Sequence, residues 1–353
     1  MINGLVFGKF APLTKGHISF IKKAAGQCDH LYLFLSFDQK FVDQQPEWIQ
    51  DKLCLEYRLC DLKDQFFRYP NITVSYVDES DIPGYPEGSE AYEKLIRAAL
   101  PQDVQLHRAF SSEPEYDTYF AKHFPECEHV VIDADRQSVP ISATMVRENV
   151  FKHFGMLSDY AKRHFIKKVA IVGVESTGKT TLTQNLAKHF GAEYVPEVGR
   201  IICENQYHAS EMLMTRDDYF DVALYHRIHE RKLMAESDVG VMFSDTTNLI
   251  TYFSGVCSGK IEHGDSTFHA LSKEEGENFY DLVLYLTPEV PWVSEPLRLQ
   301  DTPEKREETN RLLEVLVNYY YSGTQVVAIT GTDYDDRTAQ AILAVENLLN
   351  GKQ

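Results

Sequence analysis

Two glycine-bearing turns hold the residue types that could do chemistry. The second is "VAIVGVESTGKTTL", in which Gly173, four residues, then Gly178, Lys179 and Thr180 give the pattern G-x-x-x-x-G-K-[ST]. Glycines let backbone N–H groups curl around an anion, and the helix that follows points its positive end at the same place. The loop residues Glu175, Ser176 and Thr177, with Thr181 behind them, complete the cradle. Lys179 is expected to reach the β/γ-phosphates and Thr180 to bind Mg²⁺. An apolar strand, "VGVMFSD", ends in Asp245, the second acid that such a metal needs; its plain alternative is capping of the next helix. No N-K-x-D motif for guanine is present, which favours ATP. Cations near a transferred phosphoryl group would come from Arg298 in "PWVSEPLR" and Arg306 in "PEKREE"; Glu197 and Arg200 in "EYVPEVGR" are candidates for substrate contact.

The first turn, "VFGKFAPLTKGH", lacks that lysine and threonine. Gly8, Lys9, Phe10 and Gly16 lead to His17, where a helix is expected to begin, so an imidazole and backbone N–H groups would face one anion. Such an arrangement suits reaction at an α-phosphate, where charge builds on a bridging oxygen as pyrophosphate leaves. Further donors are offered by "ISATMVR": Ser142 or Thr144 as N-cap of a new helix, and Arg147 about one turn in. A lone histidine after glycine is more often a surface residue; the two motifs together, both at strand ends, favour chemistry.

The elements that must position these residues alternate throughout. Strands are predicted at Leu5–Phe7, Leu31–Ser36, Thr73–Val77, Leu106–Phe110 and Val130–Asp133, then at Lys168–Val172, Val239–Phe243, Leu282–Leu286 and Gln325–Ile329. Helical patterns separate them, which predicts an α/β protein with two parallel-sheet domains. "DIPGYPEGSE", Asp81–Glu90, reads as a surface loop, and a helical stretch is expected after "ISATMVREN", running to about Phe165. The boundary is placed there, giving domains 1–165 and 166–353. The chain has 353 residues and a net charge of −18, which argues against broad nucleic-acid binding but leaves anionic small substrates open. Six scattered cysteines without a CxxC pair, no signal peptide and no run long enough for a bilayer point to a cytoplasmic protein.

With both motifs on the page, the N-terminal half resembles the nicotinamide-mononucleotide (NMN) adenylyltransferases. The whole chain resembles the NadR-like bifunctional proteins, which join such a domain to a ribosylnicotinamide kinase. The resemblance rests on "GKFAPLTKGH", "ISATMVR", "VAIVGVESTGKTTL", "SDTT" and "TPEVPWVSEPLR". It implies an N-terminal Rossmann-like nucleotidyltransferase and a C-terminal P-loop kinase. It also implies ATP binding in the first domain by Gly8, Lys9, Phe10, Gly16, His17, Ser142, Thr144 and Arg147, with Asp133 and Arg136 of "VVIDADR" beside the adenosine. Tyr92 would stack on a nicotinamide ring, with Ser112 and Glu113 nearby; in the kinase, Glu197, Arg200, Trp292 and Arg298 would surround riboside and lid. The chain departs from the family at Thr14, in place of a histidine, where a hydroxyl is expected to donate to phosphate. It departs again at Thr247, in place of a second carboxylate. It begins at the first catalytic strand, so the DNA-binding domain of some relatives is not expected.

The implied reaction sequence uses two ATP molecules and Mg²⁺. Nicotinamide riboside is phosphorylated to NMN, with Lys179, Thr180, Asp245 and Arg298 in the machinery and Glu197 or Asp245 orienting the hydroxyl. NMN is then adenylylated to NAD, with His17 and Arg147 stabilising pyrophosphate. The alternatives are a nucleotide-sensing regulator, activity in only one domain, or a different phosphorylated acceptor for the transferase. The partners are these small molecules; neither nucleic acid nor membrane insertion is expected, and a homo-oligomer is compatible with the sequence.

Overall fold

Apolar runs such as "LYLFLSF" and "LVLYL" suit strands buried on both faces, which is where parallel sheets put them. The computed structural model describes residues 1–135, 137–208, 210–291 and 303–351. The chain divides into two compact units, Met1–Phe165 and Ile166–Gln353.

In the first unit β1 (Asn3–Gly8), β2 (His30–Phe37), β3 (Ile72–Asp78), β4 (Arg108–Ser111) and β5 (Glu128–Val131) form one sheet in the order β3-β2-β1-β4-β5. All pairs are parallel, and Leu5 in the middle of β1 lies opposite Tyr32 on one side and Ala109 on the other. The order reverses at β1, so a crevice opens beyond the strands' carboxyl ends between β1 and β4. Leu5, Phe34, Val77, Ile96, Ala109, Phe120 and Phe124 fill a core beneath it.

The second unit repeats the principle with β6 (Lys167–Val172), β7 (Tyr194–Val195), β8 (Val241–Asp245), β9 (Leu282–Leu286) and β10 (Gln325–Ile329), in the order β10-β9-β6-β8-β7, all parallel. Ile171 of β6 pairs with Asp245 of β8, which brings that carboxylate beside the glycine turn that β6 feeds. Val169, Ile171, Leu182, Leu186, Phe243, Leu284 and Ala341 pack the core between the sheet and its helices.

Two sequence expectations need correction. The helix after the first glycine turn runs Lys15–Ala25, not from His17, because Thr14 is its N-cap. The stretch after Asn149 is not one helix to Phe165: a single 3₁₀ turn covers Phe154–Met156, and a helix runs only over Asp159–Phe165. Ser158 starts that last helix, its Oγ accepting from the Ala161 N–H at 3.0 Å, a local cap that competes with helix continuation.

Candidate active sites

In the first unit a cavity of about 780 Å³ opens at the carboxyl ends of the strands. Gly8, Lys9, Phe10, Gly16, His17, Tyr92, Ser112, Glu113, Asp133, Ser142 and Thr144 all line it. Gly16 lets the two motifs meet: a Cβ there would lie 3.2 Å from Ile141 Cγ2 and 3.3 Å from its carbonyl oxygen. Thr14 and His17 form a capping box, the Thr14 Oγ1 accepting from the His17 N–H at 3.3 Å while His17 Nδ1 accepts from the Thr14 N–H at 3.2 Å. A neutral imidazole that accepts at Nδ1 carries its proton on Nε2, so His17 presents a donor. The same box corrects the expectation for Thr14. Its side chain is wholly buried as a cap and does not line the cavity. The His17 backbone N–H is likewise committed to the cap rather than to an anion.

Ser142, not Thr144, is the cap of the second helix, its Oγ accepting from the Met145 N–H at 3.1 Å. Arg147, within that helix, donates to the Ala11 carbonyl (2.6 Å) and to Thr144 Oγ1 (3.1 Å), and its charge sits over the Phe41 ring at 5.1 Å. Partial burial pulls its pKa down. Asp133 takes N–H bonds from Gln137 and Ser138; the Ser138 hydroxyl bond, ahead of all else, holds its carboxyl below the usual range. Arg136 lies outside the described residues.

Several lining groups carried no sequence signal. Lys9 Nζ is held between Asp38 (2.9 Å) and Glu79 (2.7 Å), which lie just past β2 and β3. Tyr85, Tyr116 and Tyr119 meet edge to face, with centroids 5.9–6.4 Å apart. The loop read as mere surface thus forms a wall, through Ile82, Pro83, Gly84, Tyr85 and Gly88. Tyr92 sits nearby, its hydroxyl bonded to Ser36 and its ring edge-on to Phe7 at 5.2 Å.

The second unit holds a separate cavity of about 640 Å³. Gly173, Glu175, Ser176, Lys179, Glu197 and Arg200 line it. Gly178 takes φ +86°, a conformation that L side chains rarely adopt, and a Cβ there would meet the Tyr334 ring at 2.8 Å. Lys179 folds back onto the Val174 carbonyl (3.2 Å), and the buried Thr177 hydroxyl donates to the same carbonyl (2.8 Å). Thr181 faces away, lining a small gap with Gly178 and Tyr334. Glu197 starts the helix Val198–Tyr207, with Arg200 Nε at 3.4 Å from its carboxylate.

Asp245 is wholly buried and accepts from the Thr180 hydroxyl at 2.6 Å. The next helix is capped by Thr247 rather than by Asp245: Thr247 Oγ1 accepts from the Ile250 N–H (3.3 Å) and from the Tyr321 hydroxyl (3.0 Å). Burial, reinforced by the Glu197 charge, pushes the Asp245 carboxyl up to about 6. Its Oδ1 is buried with no hydrogen-bond partner. Thr180 gives its proton to Oδ2 and keeps its oxygen lone pairs. A hard-oxygen pair beside a phosphate cradle fits Mg²⁺. Among the described residues no group of three or more His, Cys, Asp or Glu could hold a metal alone, so such an ion would share its shell with phosphate oxygens and water.

Glu211, Tyr219, Cys203, Cys257, Lys305 and Glu308 complete the wall without having been signalled by the sequence. The Tyr219 hydroxyl donates to Glu211 at 2.7 Å, and burial pushes that carboxyl up to about 7. Arg306 is not on the cavity: it is buried and donates to the Val290 carbonyl at 3.0 Å. Trp292 and Arg298 lie outside the described residues.

Four of the five non-glycine residues with positive φ among the described residues, Phe10 (43°), Asp133 (56°), Ser176 (61°) and Thr246 (77°), line these two cavities. Conformations of that kind cluster where function demands a shape that sterics oppose.

Known proteins are similar to this chain. A family model described as an AAA domain matches residues 168–337. The trifunctional NAD biosynthesis/regulator protein NadR of Salmonella typhimurium (strain LT2) is 29% identical over 358 residues, covering 98% of this chain and 83% of that protein. A crystal structure of NadR protein in complex with NR superposes with a TM-score of 0.71 at 26% identity, covering 98% of this chain and 96% of that one. A second, in complex with NAD and AMP-PNP, gives the same TM-score and identity over 99% and 96%. In sequence and in structure, over nearly its full length, the chain is similar to NadR proteins.

Proposed function

We propose that the two cavities run consecutive steps of NAD salvage, the second unit phosphorylating nicotinamide riboside and the first adenylylating the product. One observation carries the reading. The chain has two separate cradles of different chemistry, and it aligns over 98% of its length with a protein crystallised with NR and, separately, with NAD and AMP-PNP.

In the second unit the Gly173–Thr180 turn holds the triphosphate, Lys179 leaves the Val174 carbonyl for the phosphates, and Glu197 orients the attacking 5′-hydroxyl. Glu197 lines the cavity, whereas Asp245 is buried behind it and bonded to Thr180, which leaves Asp245 to the metal. Thr180 and Asp245 would hold Mg²⁺, which would supply positive charge against that building on the transferred group. Arg200 faces the same space, and Arg298 and Trp292 are assigned to the lid on the strength of the family resemblance.

In the first unit the NMN phosphate attacks the α-phosphorus of a second ATP. His17 Nε2–H and Arg147 donate to the departing pyrophosphate, and the cap of the helix at Ser142 faces the same cavity. Asp133 and Arg136 belong beside the adenosine; Tyr92, Ser112, Glu113 and the tyrosines belong at the acceptor end. The protein acts on small molecules, its acidity disfavouring nucleic acid. Six unpaired cysteines fit the reducing cytoplasm, and among the described residues no helix is long and apolar enough to cross a membrane.

Incubating the protein with Mg·ATP and nicotinamide riboside and resolving the products tests this. NAD with pyrophosphate supports both steps, NMN alone only the kinase. Neither product overturns the reading. Offering phosphopantetheine as acceptor tests the alternative transferase.

A further inference from the structure

We infer that Arg58, on the helix Leu55–Phe66, is a positioning residue for adenylyl transfer: it locks the Gly8–Pro12 turn in its working shape through the Lys9 carbonyl. The inference rests on reading the first cavity as the adenylyl-transfer site.

Arg58 is 2% exposed and does not line the cavity. Its Nη1 donates to the Lys9 carbonyl at 2.9 Å, its guanidinium lies over the Phe37 ring at 5.2 Å, and its Nε and Nη2 are buried without hydrogen-bond partners. Burial pushes its pKa down to about 10. A buried charge so poorly satisfied is an expensive way to fill space; an apolar side chain of similar volume would do it better. Among the described residues, the one hydrogen bond its donors make is to the nucleotide turn.

Two residues along, the Ala11 carbonyl accepts from Arg147 at 2.6 Å. Two arginines therefore grip the carbonyls on either side of Phe10. Phe10 itself is held at φ +43°, a region that bulky L residues avoid. Its ring is 6% exposed and stands perpendicular to the His17 imidazole, centroids 5.2 Å apart. The clamp on the backbone thus fixes the ring that fixes His17. Arg147 also adjoins the cavity through Thr144; Arg58 acts only from behind.

The test uses the full chain with Arg58→Met and Arg58→Lys, each alone and with Phe10→Gly. Pyrophosphate release with Mg·ATP and NMN reports the first site, and riboside phosphorylation is the internal control. Arg58→Met should lower kcat for adenylyl transfer by about 10²-fold, the scale of a small misplacement of catalytic groups, with KM for NMN and the kinase step little changed. Arg58→Lys, which keeps a donor, should stay within about threefold of the parent. Glycine adopts φ +43° without strain, so in the Phe10→Gly background the cost of Arg58→Met should shrink to about threefold or less. If Arg58→Met does not fold, Arg58→Leu, which also lacks a donor, takes its place with the same expected loss. An unchanged kcat, a lysine variant as poor as methionine, or the same loss in both backgrounds overturns the inference. Absence of pyrophosphate from the parent protein would instead overturn the assigned reaction. The clamp is then read by calorimetry with α,β-methylene-ATP in a Lys179→Ala background, where Arg58→Met should weaken binding about tenfold and unchanged affinity refutes it.

Discussion

Asp245 has to be ionised to hold a cation, and its surroundings work against that. Its folded pKa of about 6 lies above the ordinary 3.8. Riboside phosphorylation at limiting Mg²⁺ should therefore fall as the pH drops through about 6, and the Mg²⁺ requirement should rise. The sign for stability is opposite. A group whose folded pKa is raised favours the folded state below the unfolded value and loses that contribution as the pH rises through 6. Urea unfolding without metal should show the parent losing stability relative to Asp245→Asn between pH 4 and pH 6; parallel curves would contradict the assignment. The residues of the two cradles were legible because their chemistry is local, a few consecutive backbone N–H groups and one or two side chains. Lys9's partners Asp38 and Glu79, the tyrosines at 85, 116 and 119, and Glu211 were not legible. They come from separate loops that only the fold brings together, and a lone Asp, Glu or Tyr in a loop reads as solvated. Arg58 was hidden for the same reason: an arginine in a helix looks like a surface charge.

At the level of elements, both cavities depend on how a helix begins. Thr14→Ala removes the Oγ1 bond to the His17 N–H and should cost about 1 kcal/mol in denaturant unfolding, with Thr14→Ser close to the parent. It should also lower adenylyl transfer, since the box that orients His17 is halved; unchanged stability and rate would remove Thr14 from the account. Gly178→Ala meets both a positive φ and the Tyr334 ring, so it should cost about 1–3 kcal/mol and suppress riboside phosphorylation. The strand pattern was readable because these strands carry short apolar or β-branched runs: β1, β2, β3, β6, β9 and β10 fall where the runs place them. β7 was missed because two residues leave no periodicity. The break before Asp159 was missed because Ser158 interrupts the helical stretch by a local hydrogen bond rather than by proline.

For the molecule as a whole, each cavity is lined by residues of one unit only. The two steps should therefore survive being carried on different molecules. A mixture of Lys179→Ala and His17→Ala proteins should make NAD from nicotinamide riboside through released NMN. No NAD from the mixture, with each variant still competent in its intact step, would contradict that independence. The most direct measurement follows from the same two variants taken singly, with ATP, Mg²⁺ and either riboside or NMN, and with products resolved. The account predicts that Lys179→Ala makes NAD from NMN but nothing from the riboside, while His17→Ala turns the riboside into NMN and stops there. A single substitution that abolishes both reactions in a folded protein would contradict the two-site claim.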